Sequence, residues 1–266
     1  SPPPLRQPVT PVSIQSKDIV VETDLYTAVF TSQGAALKSL VLKQYRETSG
    51  HDGKPVQLVS ETNAQGFGLK TESSALGLSA AAVYAESADS LSVSGTDRKN
   101  LEFQWTSPQG VTVTKNYTFT GNGYAILLDT RVTNSSAANI SGALNLVLPY
   151  PSQPRSKESR FEVNGAVTLD NGKFLTVPVK DIAEKPKNFD AGVAWTGYAD
   201  KYFLSAVLAQ DNSIGTVHIG KGAGSYIDTT IASPPFELLP GQTSSIGYRL
   251  FFGPKDVDIL KAQGQG

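Results

Sequence analysis

From Ile19 onward, apolar and polar residues follow each other with a period of two, the signature of strands that bury one face. In Leu101–Trp105 the odd positions are apolar and the even ones polar. Val111, Val113, Tyr117 and Phe119 alternate with Thr112, Thr114, Asn116, Thr118 and Thr120. Gly121-Asn-Gly123 then leads into Tyr124, Ile126, Leu128 and Val132, which predicts a long-armed hairpin. A second hairpin is expected where Asn171-Gly172 separates Ala166–Leu169 from Phe174–Val177. Further strands are expected at 18–22, 25–31, 37–42, 56–59, 66–70, 91–93, 140–148, 201–208, 215–219, 226–231 and 244–252. Propensity alone would permit a helix near Ala35–Glu47, and strand is the reading adopted there.

Many short strands with Gly, Asn, Ser and Pro between them predict an all-β sandwich or barrel. Helix is sparse. One turn is expected at Asp181–Lys185 before Pro186, and a terminal helix at Pro254–Ala262, with proline in the first helical position and Asp256 and Asp258 at the positive end of the dipole. Ser1–Pro11 holds five of the 16 prolines and reads as an extended tether, leaving 12–266 as one domain, and 266 residues suffice for a single large β-sandwich.

The longest uninterrupted apolar run is the six residues Ala80–Ala85. A membrane helix needs about 18 to 20. The chain has no Met, so it is expected to be a processed or excised piece of a longer product. A formal charge of −1 disfavours nucleic acid as a partner. With no Cys, a disulfide, a thiolate metal site and a thiol nucleophile are excluded.

Candidate chemistry is thin. His51 lies in a polar loop and His218 on a strand, too far apart in sequence and without the spacing of a metal pair, so no metal and no cofactor are expected. Gly220–Gly224 lies between two strand segments and opens no helix, which favours a hairpin over an anion cradle. Arg155, Lys157 and Arg160 would suit a lipid headgroup or an acidic partner, although a solvated loop is the default. Asn116, Asn134 and Asn139 head glycosylation sequons, relevant only in a eukaryotic secretory pathway. No catalytic residue is expected.

Two stretches carry a family resemblance. Trp195-Thr-Gly-Tyr-Ala-Asp-Lys-Tyr-Phe203 and Phe251-Phe-Gly-Pro-Lys255, with the Pro-rich start and the Val21–Tyr26 opening, resemble the periplasmic domain of YidC-type bacterial membrane protein insertases. The resemblance implies a twisted supersandwich of the galactose-mutarotase type closed by a C-terminal helix. It also implies a periplasmic domain of an inner-membrane protein that helps insert and fold membrane proteins, with or without the Sec translocon. By the same resemblance the insertion step would belong to membrane helices outside this sequence, leaving contacts with Sec accessory subunits or nascent membrane proteins to this domain. On that basis Trp195, Asp200, Lys201, Tyr202, Phe203, Gly253, Pro254 and Lys255 are expected to be structural: Trp195, Tyr202 and Phe203 as core, Gly253 and Pro254 as the helix start; Gly197, by residue type alone, reads as a turn residue. The alternatives are a carbohydrate-binding or mutarotase-like protein, which would require a His beside a carboxylate in an open pocket, and a scaffold that binds neither sugar nor Sec subunits.

Overall fold

In the computed structural model, the described residues are 15–47, 53–60, 67–152, 165–256 and 258–259. The tether, His51 and the Arg155–Arg160 group lie outside them. The alternation closes into two layers. One layer is a nine-stranded sheet, in the order β14 (Lys173–Pro178), β13 (Gly165–Asp170), β16 (Val193–Ala199), β17 (Phe203–Ala209), β21 (Thr243–Pro254), β10 (Ala125–Asn134), β9 (Val111–Thr120), β8 (Arg98–Thr106) and β6 (Ala85–Glu86).

The facing layer holds two five-stranded sheets. The first runs β4 (Pro55–Val59), β3 (Ala36–Arg46), β2 (Tyr26–Thr31), β1 (Asp18–Glu22), β7 (Ser90–Ser92). The second runs β15 (Lys187–Phe189), β18 (Thr216–Lys221), β19 (Tyr226–Ala232), β12 (Asn145–Pro151), β5 (Lys70–Glu72). A small ribbon pairs β11 (Ile140–Gly142) with β20 (Phe236–Leu238), and one helix, α1 (Val179–Glu184), follows β14.

Large side chains lock the layers together. Phe30 of β2 reaches Tyr117 and Phe119 of β9, with ring centroids 4.7 and 5.6 Å away, and Phe103 of β8 meets Tyr117 edge-on. Each such ring contributes about 1.5–3 kcal/mol when buried. At the other end, Tyr150 of β12 stacks on Tyr198 of β16 at 4.4 Å. The Tyr198 hydroxyl, buried there, donates to the Ile227 carbonyl and accepts from Thr229 Oγ1 at 2.8 Å.

Both predicted hairpins are present. In β9–β10, Val113, Tyr117 and Phe119 oppose Val132, Leu128 and Ile126, all buried. The Asn171-Gly172 turn has φ of 47° and 75°, the left-handed pair that a two-residue hairpin demands. Ala35–Glu47 is largely strand, and the helical turn appears as α1.

Other expectations change. The segment 140–148 divides into β11 and β12, which join different sheets. Gly142 lies where a Cβ would press on Ala75 at 2.8 Å, and the Leu144 N–H turns to Ser233 Oγ, so the strand breaks between them. Gly197 is not a turn residue. It lies mid-strand in β16, where a Cβ would collide with the Ser205 carbonyl of β17. β6, β15 and β20 add pairing that periodicity did not indicate, each being two or three residues long.

Candidate functional site

The two signature stretches form one corner, at the end of β16, β17 and β21. Phe203 pairs with Pro254 and Leu204 with Gly253. The chain reverses between β16 and β17 through Asp200-Lys201-Tyr202. Asp200 Oδ1 accepts from the N–H groups of Tyr202 and Phe203, at 2.9 and 2.7 Å, while its own N–H donates to the Phe203 carbonyl. A carboxylate is suited to this place because it satisfies two donors that the turn would otherwise leave open. Lys255 closes the corner from β21, with its N–H donating to the Tyr202 carbonyl and its Nζ to the Asp200 carbonyl, both at 2.7 Å.

Aromatic rings pack behind the turn. Phe203 meets Tyr45 edge-on, and a Cβ at Gly253 would stand 3.0 Å from the Tyr124 ring. Burial, with the Tyr45 hydroxyl beside it, pushes Tyr124 up to about 12. Glycine is thus required where two strands and a ring converge.

Three readings are corrected here. Tyr202 is not core: the residue is 61% exposed, because it occupies the reversal, and Lys201 Nζ lies 5.0 Å from its ring centroid. Trp195 and Phe203 are only partly buried. Gly253 and Pro254 do not start the helix but end β21. Helix follows at 258–259, where Asp256 Oδ1 accepts from the N–H groups of Asp258 and Ile259, a cap that fixes the start after proline. The rest of the expected helix lies outside the described residues.

Trp195 stands apart from the corner, opposite Leu208 on one side and Leu169 on the other. Directly opposed residues share a face, so Phe174, Leu169, Trp195, Leu208, Arg249 and Leu127 form one row across six strands. The Phe174 and Trp195 rings lie 5.8 Å apart. The row ends in β14, the terminal strand, where Phe174 is 61% exposed and Leu175, on the opposite face, 39%.

Among the described residues the other sheet edges are short: two residues in β6, three in β15, β5 and β7, and five in β4. Short edges discourage added strands. β14 has six residues, and the two-residue turn makes Asp170 and Lys173 a hydrogen-bonded pair. Phe174 and Thr176, next in alternation, therefore direct their N–H and C=O groups away from β13. Open backbone groups flanked by apolar side chains suit an extended polypeptide. This edge was missed in the sequence, where Phe174-Leu175 marked only a hairpin arm.

His218 is exposed, with Nδ1 2.7 Å from the amide oxygen of Asn188. Gly222 sits in the β18–β19 hairpin, its N–H donating to the Tyr226 carbonyl. Asn134 is fully buried, its side-chain amide donating to the carbonyls of Ala138 and Leu238, which removes it from any modifying enzyme. Among the described residues no group of three or more His, Cys, Asp or Glu has the arrangement of a metal site. No helix there is long and apolar enough to cross a membrane.

Two facing layers built around a nine-stranded antiparallel sheet define the class: a galactose-mutarotase-like supersandwich. A galactose mutarotase-like protein from Lactobacillus casei superposes with a TM-score of 0.61 at 12% identity, covering 88% of this chain and 99% of that one. A putative aldose 1-epimerase from Escherichia coli K12 gives 0.57 at 9%, covering 90% and 100%. At such identities the likeness is one of fold.

Sequence narrows the class to a family. Residues 18–266 match the family described as the YidC periplasmic domain. A protein named membrane protein insertase YidC from Geobacter metallireducens is 46% identical over 264 residues, covering 99% of this chain and 49% of its own length. Its counterpart from Geotalea uraniireducens is 43% identical over 252 residues, covering 95% and 48%. The chain belongs to the YidC periplasmic domain family, and it spans about half the length of these curated relatives.

Proposed function

We propose that this domain serves a membrane protein insertase as its docking module on the periplasmic side of the inner membrane. It holds Sec accessory subunits or emerging segments of membrane proteins, while the insertion step, with or without the Sec translocon, lies elsewhere in the protein. The observation that carries this reading is the β14 edge, the longest sheet edge among the described residues, with Phe174 and Leu175 exposed on its two faces. Family membership supports it, because the relatives are named for inserting membrane proteins. The corner at Asp200 and Lys255 supports it differently. The Asp200 carboxylate and the Lys255 amine are spent on backbone groups, which marks a fixed joint.

The test replaces Phe174 and Leu175 together with Glu in the membrane-anchored protein. The expected outcome is an unchanged fold, with copurification of Sec accessory subunits or substrate segments reduced at least several-fold. Unreduced copurification would contradict the proposal. Acceleration of aldose mutarotation that depends on His218 would replace it with a sugar-active reading.

A further inference from the structure

Among the described Lys, Arg, His, Asp and Glu residues, Lys115 is the one the fold encloses completely, in phase with the core-facing Val113 and Tyr117 of β9. A buried amine is strongly unfavourable unless its N–H groups find acceptors. Lys115 Nζ donates to the carbonyls of Leu69 and Ala35, the latter at 2.9 Å, and approaches that of Gly34 at 3.4 Å. The Tyr117 hydroxyl, next on the same face, donates to the Ala35 carbonyl at 2.8 Å.

The three carbonyls come from residues in the left-handed region: Gly34 at φ 73°, Ala35 at 46° and Leu69 at 64°. For Ala and Leu that backbone is strained and persists only where surroundings hold it. Gly34 and Ala35 join β2 to β3 in one five-stranded sheet, and Leu69 leads into β5 of the other. Between them, Leu37 and Gly68 exchange N–H···O bonds, each 2.8 Å, in an isolated bridge that ties the two sheets together.

We propose that Lys115 is an internal brace on which three sheets meet. Its amine, projecting from the nine-stranded sheet, holds the Gly34–Ala35 turn and the Leu69 carbonyl in their strained form, and so keeps the Leu37–Gly68 bridge closed. Two N–H donors serve the two shorter contacts, so the brace works as an amine or an ammonium. Burial, which pulls the Lys115 pKa well below its ordinary value, leaves it intact.

The test is hydrogen exchange on the whole chain with Lys115→Met, which fills the space without a donor. The expected result is a loss of protection of about tenfold or more at the Leu37 and Gly68 amides, while amides in the middle of β10 keep theirs. No loss, or an equal loss throughout, would overturn the proposal. Should the variant not fold, NMR on the unsubstituted chain decides: through-hydrogen-bond couplings from Lys115 Nζ to the carbonyls of Ala35 and Leu69 support the brace, and their absence overturns it.

Discussion

Two ends of one sheet behave in opposite ways. At the Asp200–Lys255 corner the polar groups named above close on neighbouring backbone, and glycines stand where strands or rings press closest. At the β14 edge, Phe174 and Leu175 are exposed on opposite faces of the strand. The corner is held by particular side chains, whereas the edge has no motif at all. Geometry at the corner admits few substitutes, while a sheet edge open to a partner strand needs only exposed apolar surface and outward-directed backbone groups, which many sequences supply.

The contrast breaks most visibly at Gly197. Gly197→Val drives a branched side chain into the Ser205 carbonyl, so a loss of about 3 kcal/mol or more is expected in urea unfolding of the isolated chain. A variant as stable as the parent would remove the reason given for that glycine. Asp200→Ala leaves two turn N–H groups without their carboxylate, and a loss of about 1–2 kcal/mol is expected by the same measurement.

Lys115 sharpens the comparison through pH. Its pKa in the folded state lies below the ordinary 10.5, so the folded chain binds fewer protons than the unfolded one between those two values. Stability attributable to Lys115 therefore rises with pH through that window and levels off above about 10.5. The Tyr117 and Tyr84 hydroxyls nearby are shifted upward by burial and are present in both proteins being compared. The stability difference between the parent and Lys115→Met, followed by chemical denaturation, is expected to grow in the parent's favour as pH rises. A difference that shrinks would contradict the direction of the shift.

The smallest effect on stability is expected at the edge. Phe174→Ser and Leu175→Ser are each expected to lower unfolding free energy by about 1 kcal/mol, because neither side chain is fully enclosed. A much larger loss would make the β14 edge part of the structural frame.

Much of this was legible in the chain. Alternation in β9 and β10 and the Asn171-Gly172 turn marked the two hairpins, since each depends on contacts near in sequence. Short strands such as β6, β15 and β20 depend on partners far away and left little periodic trace. Tyr202 was misplaced because an aromatic residue beside an apolar run resembles core, and only the reversal at Asp200 turns it outward. Pro254 likewise suits a helix start or a strand end, and its pairing with Phe203 decided which. Lys115 had a signal: it occupies an apolar phase of β9, between Val113 and Tyr117. The β14 edge had a fainter one, the adjacent pair Phe174-Leu175, which places apolar side chains on both faces of one strand.

The most direct measurement places a photoactivatable phenylalanine at position 174 or at position 202 in the membrane-anchored protein, two residues with equal exposure of 61%. Strong crosslinks to a Sec subunit or a membrane-protein segment from position 174, and weak ones from 202, are the predicted result. Equal crosslinking from both, or a preference for 202, would contradict it.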